Sequence, residues 1–488
     1  MEAVKVLVGN GADLKAKSGK EESGNTPVHL AVLRGCSHVV QYITEFDPST
    51  LNLLNSRGQN ANSFIETTPV VRQALHNEMN MAYFSAAESG DLATLRVIVK
   101  NGVQVNVTTP HYQGSDSVLH LAAKNDHLPV VEYLASFHSE LLNMTNKDGD
   151  FAIHVAGRQG NIKIVHFFLR HGVDPNIRNT LNGNTVFLSS AEGGNLPMID
   201  SLIERQLSVR GRNLAGENAL HVCARMGHDK MIDYFLDRRL FRIESKNRKK
   251  QSALSIASEH GKIAVAHNLV RRRATYESVD DTGFTPILHA CEKGHKEVYL
   301  FLLEKGADPR VKTKIDGNEC AHLAVISGNS DLLVEVIRRQ GRDESLDAKN
   351  KYGETPLWLA VYMGNEKMAG LLVVNSQVHL DTRCNSGFTP FLVSVLRNRL
   401  NIMKRLLNEY GADLRDSTLE GDFPIHVAAT HGHKDMLTEF INIYGDTEIM
   451  NSKGQTPLWR ACSVGTLESV ELLLGRGANI RYYFEIVS

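Results

Sequence analysis

Two kinds of apolar run alternate along the chain. The first is short and dense, as in TPVHLA from Thr26 or TPLWLA from Thr355. Thr is a good helix N-cap, and Pro in the first turn has no N–H to leave unpaired, so Thr-Pro predicts a sharp helix start. Small residues follow where a neighbouring element must come close. The second run is longer and less dense, as in KIVHFFLRHGVD from Lys163 or KEVYLFLLEKGAD from Lys296. Its apolar residues recur at helical spacing, which predicts a helix with one buried face. A glycine separates the two runs in most copies (Gly35, Gly90, Gly160, Gly194, Gly227, Gly261, Gly294, Gly328, Gly364, Gly432 and Gly465), suited to a left-handed turn that stops the first helix. After the second helix comes a polar segment with a Gly turn, such as Asp281-Thr282-Gly283-Phe284 or Lys351-Tyr352-Gly353-Glu354, which predicts a hairpin-like finger before the next Thr-Pro.

The whole unit recurs. With the fourth residue of the TPVHLA pattern as a ruler, copies fall at His29, Phe84, His120, His154, Leu188, His221, Ser255, Leu288, His322, Trp358, Leu392, His426 and Trp459. From Phe84 onward the spacing is about 33 to 36 residues. Period, cap, small-residue face and Gly turns together make the pattern resemble the ankyrin-repeat family over nearly the whole chain. The resemblance implies an all-α solenoid of about fourteen stacked antiparallel helix pairs with projecting β-hairpin-like fingers. It also implies protein binding on the fingers and the exposed face of the first helices, and a structural role for the motif histidines.

The ruler has one gap, of about 55 residues between His29 and Phe84, where NSRGQNANSFIETTPVVRQALHNE replaces a repeat. TPVVRQAL within it is similar to the shortened helix that closes such arrays. The expected organisation is a short N-terminal block over 1–78 ending in a degenerate repeat, a long stack of about twelve repeats over 79–480, and an unpatterned tail over 481–488. A single continuous solenoid with one degenerate repeat is the alternative. Neither end carries the polar cap of a terminal repeat, so the expectation is a fragment, a truncated gene model or one part of a longer protein.

Composition narrows the class without changing the fold. The 488 residues are 42% hydrophobic and 22% charged with formal net charge -1, as in a folded chain. No apolar run is long enough to span a bilayer, and no signal peptide opens the sequence, so a cytoplasmic location is expected, with the nucleus as a further possibility. The six cysteines are dispersed and lack metal-ligand spacing. HGH at His431 to His433 falls on ordinary repeat positions. No Walker loop, GxGxxG after a strand, HExxH, GxSxG or kinase signature is present. The expectation is a non-catalytic chain without cofactor or metal.

Charge is uneven. Residues 205–273 carry sixteen basic against six acidic residues. Arg238, Arg239 and Arg242, and again Arg271, Arg272 and Arg273, stand at ends of second helices where other copies have Gly-Ala-Asp. Cations complement the dipole there. Lys246, Arg248, Lys249 and Lys250 fall in a finger. The block is a candidate docking patch for an acidic protein segment or an anionic lipid headgroup; nucleic acid ranks last because the overall charge is near zero and no aromatics interleave. A second candidate is an apolar strip of Phe284, Tyr352, Tyr362, Met363 and Phe388, side chains of the kind that anchor interfaces.

The function expected from all this is a protein–protein interaction scaffold or adaptor that binds partners on its concave finger and first-helix surface. The alternative is the cytosolic ankyrin portion of a larger membrane channel or signalling protein, with the basic block as an anion site.

Overall fold

A computed structural model describes residues 2–19, 24–34, 36–61, 81–100, 116–340, 344–375 and 378–480. The chain divides into two compact units, Met1–Leu214 and Ala215–Ser488. Within each, a short first helix is followed by an antiparallel second helix and then a finger, layer upon layer. The second unit holds eight such helix pairs among its described residues, from Ala219–Met226 with Asp229–Asp237 to Pro457–Val464 with Leu467–Gly475.

The local chemistry is as the repeat predicts. Thr355, Thr389 and Thr456 accept the N–H of Trp358, Leu392 and Trp459 on their hydroxyls, each at 3.2 Å, with Pro in the first turn. Ser117, Asn218 and Ser252 cap the helices that lack Thr-Pro. Turn glycines such as Gly160 and Gly227 sit at φ 85° and 93°, where a side chain is costly. Two repeats lack this glycine and place Asp126 and Asn398 there at φ 60° and 54°, short polar residues that tolerate the conformation. Gly35 lies outside the described residues.

First helices are buried almost all round: Pro286 through Cys291 are all buried. Second helices bury one face, such as Val298, Tyr299, Phe301 and Leu302. Each large apolar side chain so buried contributes about 1.5–3 kcal/mol. The 36-residue step from His322 to Trp358 arises from a longer second helix, Ser330–Gln340, and an extra 3-10 turn, Glu344–Asp347.

Layers lock through the motif histidine. The Nδ1 of His322 accepts the Glu319 N–H at 3.3 Å, and its Nε2–H donates to the Glu354 carbonyl of the next finger at 3.1 Å. His120, His154 and His426 repeat this with the carbonyls of Asp150, Ile177 and Ile449. Trp358 takes the same role in its repeat, Nε1–H donating to the Phe388 carbonyl at 3.1 Å. Fingers add a backbone bond per step: the N–H groups of Arg248, Asp281, Lys314, Lys351 and Asn385 donate to the carbonyls of Ala215, Lys249, Thr282, Asp316 and Tyr352.

The sequence gap begins in regular structure. Asn55 to Gln59 form a finger with Gly58 at φ 71°, and Asn55 Nδ2 donates to Asn25 at 3.0 Å. The segment carrying TPVVRQAL, the expected boundary near residue 78 and the tail 481–488 lie outside the described residues. Of the cysteines, Cys223, Cys291, Cys320 and Cys384 are buried thiols, whereas Cys36 is exposed.

Candidate partner-binding surface

Two sets of side chains break the polar habit of a solvent face, both in the second unit. The first is apolar. Tyr362 and Met363 end the helix Pro356–Met363, just ahead of Gly364. Tyr362 stacks on Trp358 with centroids 5.1 Å apart, and the Arg397 guanidinium lies over the Tyr362 ring, 4.5 Å from its centroid. Because Trp358 also holds the Phe388 carbonyl, Phe388, Trp358, Tyr362 and Arg397 are linked. Tyr352 stands at a fingertip, 53% exposed, its hydroxyl donating to Asp316 at 3.3 Å. Phe284 is half-buried and packs on His289 of its own repeat, centroids 5.0 Å apart.

Sequence reading missed members of this set. Ile315 (61% exposed) and Leu419 (74%) are fingertip residues beside Tyr352 in kind. Their signal was an apolar residue two places before the finger glycine. Leu419 leans on the preceding finger, where a Cβ on Gly387 would fall 2.2 Å from its Cγ. Met226, Ile326 and Val464 are exposed at first-helix ends, in the same last turn as Met363.

The second set is basic, and much of it is already neutralised. Arg272 binds Asp233 at 2.5 Å and Asp237 at 2.7 Å on the preceding second helix, and Arg271 lies 3.6 Å from Asp233. These hydrogen bonds hold the Asp237 carboxyl below its ordinary range. Arg238 covers the Tyr234 ring at 4.3 Å, Lys246 contacts the Ser278 hydroxyl, and Lys250 pairs with Asp281 at 2.9 Å. Arg239, Arg242, Arg248, Lys249 and Arg273 are exposed and make no ion pair among the described residues. Gly216 leaves room for the Arg248 stem, whose Cγ would lie 2.7 Å from a Cβ there.

Arg239, Lys250 and Arg273 have φ of 53°, 59° and 67°. A side chain there costs about 1 kcal/mol relative to glycine. Replacing each by glycine is expected to raise stability by about that amount, read as a higher urea midpoint. An unchanged or lower midpoint would show that these backbones carry no such cost.

The layered helix pairs, capped by Thr-Pro and joined through fingers, define a helical-repeat solenoid. The profile described as "Ankyrin repeats (3 copies)" matches residues 83–179, 154–244, 238–313, 321–418 and 392–483. The chain belongs to the ankyrin-repeat family. It is 29% identical over 262 residues to Palmitoyltransferase AKR1 of Lachancea kluyveri, a match covering 53% of this chain and 31% of that protein. It is 23% identical over 444 residues to human transient receptor potential cation channel subfamily A member 1, covering 81% of this chain and 39% of the channel subunit. It is 25% identical over 219 residues to the Caenorhabditis elegans ankyrin repeat and KH domain-containing protein mask-1, covering 41% of this chain and 8% of that protein. The chain thus spans well under half the length of each.

These matches correct one expectation. Missing catalytic motifs led to the reading that the chain is not an enzyme, yet a relative is itself a palmitoyltransferase. Repeats of this kind occur within an enzyme polypeptide, so the lack of motifs in the repeats does not remove the enzyme class. The family does establish protein–protein interaction as the class of function. Among the described residues no helix is long and apolar enough to cross a membrane.

Proposed function

We propose that the chain is a cytoplasmic scaffold or adaptor that holds a partner protein on its fingers and the exposed ends of its first helices. The observation that carries this reading is positional. Met226, Ile326, Met363 and Val464 place an exposed apolar side chain in the last turn of the first helix in four repeats of one unit. Isolated exposed apolar residues are ordinary, but recurrence at one repeat position marks a face suited to burial. Tyr352, Ile315 and Leu419 supply the fingertip contribution. Free thiols at all six cysteines fit a reducing compartment.

Tyr352→Ala combined with Met363→Glu tests the reading. Both side chains are substantially exposed, so the melting temperature should stay close to the parent's. Retention of the partner captured from native extract should fall about tenfold or more. Equal retention by parent and variant would reject this surface.

A second reading is favoured by the coverage of the cation channel subunit, which matches 81% of this chain while extending far beyond it. In that reading the repeats are the ankyrin portion of a larger membrane or signalling protein. A transcript that continues past Ser488 into apolar helices supports it, and an immediate stop codon counts against it.

A further inference from the structure

Side chains with positive φ other than glycine are few in the second unit: Arg239, Lys250, Arg273 and Asn398 among the described residues. Three of the four are basic and lie within 35 residues of one another. The repeat that follows holds Gly306 at the equivalent place after its second helix, the repeat that precedes holds Gln206 at φ 61°, and the adjoining fingers hold Gly216 and Gly283. After the second helix, the residue following the turn donates its N–H to a carbonyl five residues back: Leu240 to Phe235, Ala274 to Leu269 and Ala307 to Leu302. The turn residue before it is Arg239, Arg273 or Gly306. In the finger, Lys250 donates to the Asn247 carbonyl as Gly283 does to Asp280 and Gly353 to Asn350. Basic side chains therefore occupy, at three nearby places, the conformation that suits side chains least. Dipole complementarity does not explain this, because a cation one position earlier, as at Lys305, serves the helix end without leaving the helical region.

The cations also sit together. The helix end at Arg238 adjoins the one at Arg272, which reaches Asp233 and Asp237. The following loops stay paired, since the Thr275 N–H donates to Glu244 at 2.8 Å and Lys246 contacts Ser278. The finger Asn247–Gln251 continues from that loop. Local carboxylates take up Arg271, Arg272 and Lys250, which leaves Arg239, Arg242, Arg248, Lys249 and Arg273 facing water.

We propose that this surface, from the paired helix ends at 238–242 and 271–273 to the finger at 247–250, binds a carboxylate-rich acidic peptide segment of a partner protein. Charge complementarity selects the ligand, and the arrangement selects the form. The unpaired cations are interleaved with exposed carboxylates, Asp237, Glu244 and Asp281. A flat anionic membrane would press against those carboxylates together with the cations. An extended peptide can set its own carboxylates against the arginines and lysines and pass the acidic positions with neutral residues. The inference rests on the reading that these repeats hold proteins, but it uses a surface separate from the apolar fingertips and first-helix ends.

The test is fluorescence anisotropy of a labelled oligo-glutamate peptide titrated with the full chain. Two variants are compared with the parent: Arg239→Gly/Lys250→Gly/Arg273→Gly, and Arg242→Glu/Arg248→Glu/Lys249→Glu. The parent should bind, more weakly as salt rises. Each variant should weaken binding by about tenfold or more: the glutamate variant loses three unpaired cations and reverses their charge, and the glycine variant loses two and leaves Asp281 without its Lys250 partner to repel the peptide. The glycine variant should do so while unfolding at a higher urea midpoint, which separates loss of the site from loss of the fold. No binding by the parent, or equal binding by parent and variants, overturns the proposal. Binding to phosphatidylserine vesicles without binding to the peptide overturns the assignment to an acidic segment. Either failure leaves the fingertip reading intact, because the Tyr352 and Met363 variant tests that surface with the native partner.

Discussion

Acidification from pH 7 to pH 4 should destabilise the Ala215–Ser488 unit by about 3 kcal/mol through His322 alone. The ring is fully buried, and desolvation lowers its pKa to about 4 from 6.5. Its bonds fix the neutral form: Nδ1 must stay unprotonated to accept the Glu319 N–H. Above pH 6.5 the ring is neutral whether the chain is folded or not, and its full contribution is present. As pH falls below 6.5 the unfolded ring takes a proton that the folded ring refuses, and stability drops by about 1.4 kcal/mol per pH unit. Near pH 4 the folded ring titrates too and the loss levels off. His426 is also shifted down, mainly by desolvation, and adds to the same window. Urea midpoints at several pH values check this. His322→Gln retains a donor for the Glu354 carbonyl and should flatten the dependence between pH 6.5 and 4. An unchanged slope in that variant would show that His322 is not its source.

Arg158→Met should cost the Met1–Leu214 unit about 2–4 kcal/mol. Asp150, in a finger, has a side chain only 1% exposed, and its two oxygens are held by Arg158 at 2.7 Å and by Asn179 of the next finger at 2.5 Å. Arg158 also reaches Glu192 in the following first helix at 3.1 Å. Without the guanidinium, a buried carboxylate keeps a single amide donor and loses its counter-charge. The apolar part of Met replaces the packing, so the loss reports charge. Adding Asp150→Asn should recover part of it, because the uncompensated charge is gone. Urea unfolding, with hydrogen exchange of amides 152–159 to localise the effect, measures both variants. A cost below about 0.5 kcal/mol for Arg158→Met would place the pair among ordinary surface ion pairs.

The layer itself was legible because each of its parts has a local cause. Thr-Pro at Thr355, the glycine at Gly364 and the apolar face from Val298 to Leu302 each dictate backbone or burial within a few residues, and they recur at a fixed period. The neutralisation of Arg272 was not legible in the same way. Its partners, Asp233 and Asp237, are 39 and 35 residues away and meet it only because adjacent second helices pack side by side. Tyr362 was visible as an unusual residue, whereas its contact with Arg397 depends on the next repeat. The finger at Asn55 to Gln59 shows the opposite error. Its NSRGQ matches the pattern of other fingers, such as NSKGQ from Asn451, but it was read as part of the interruption that follows it.

A partner protein held on the fingers and first-helix ends shields those side chains from solvent. Hydroxyl-radical footprinting of the chain, free and bound to the partner captured from its native extract, reads that shielding residue by residue. Protection is predicted at Tyr352, Met363, Ile326 and Leu419, with the second-helix residues Val374 and Leu474 labelled equally in both states. Protection of Val374 and Leu474 with Tyr352 and Met363 still labelled would place the partner on the opposite face and contradict the claim.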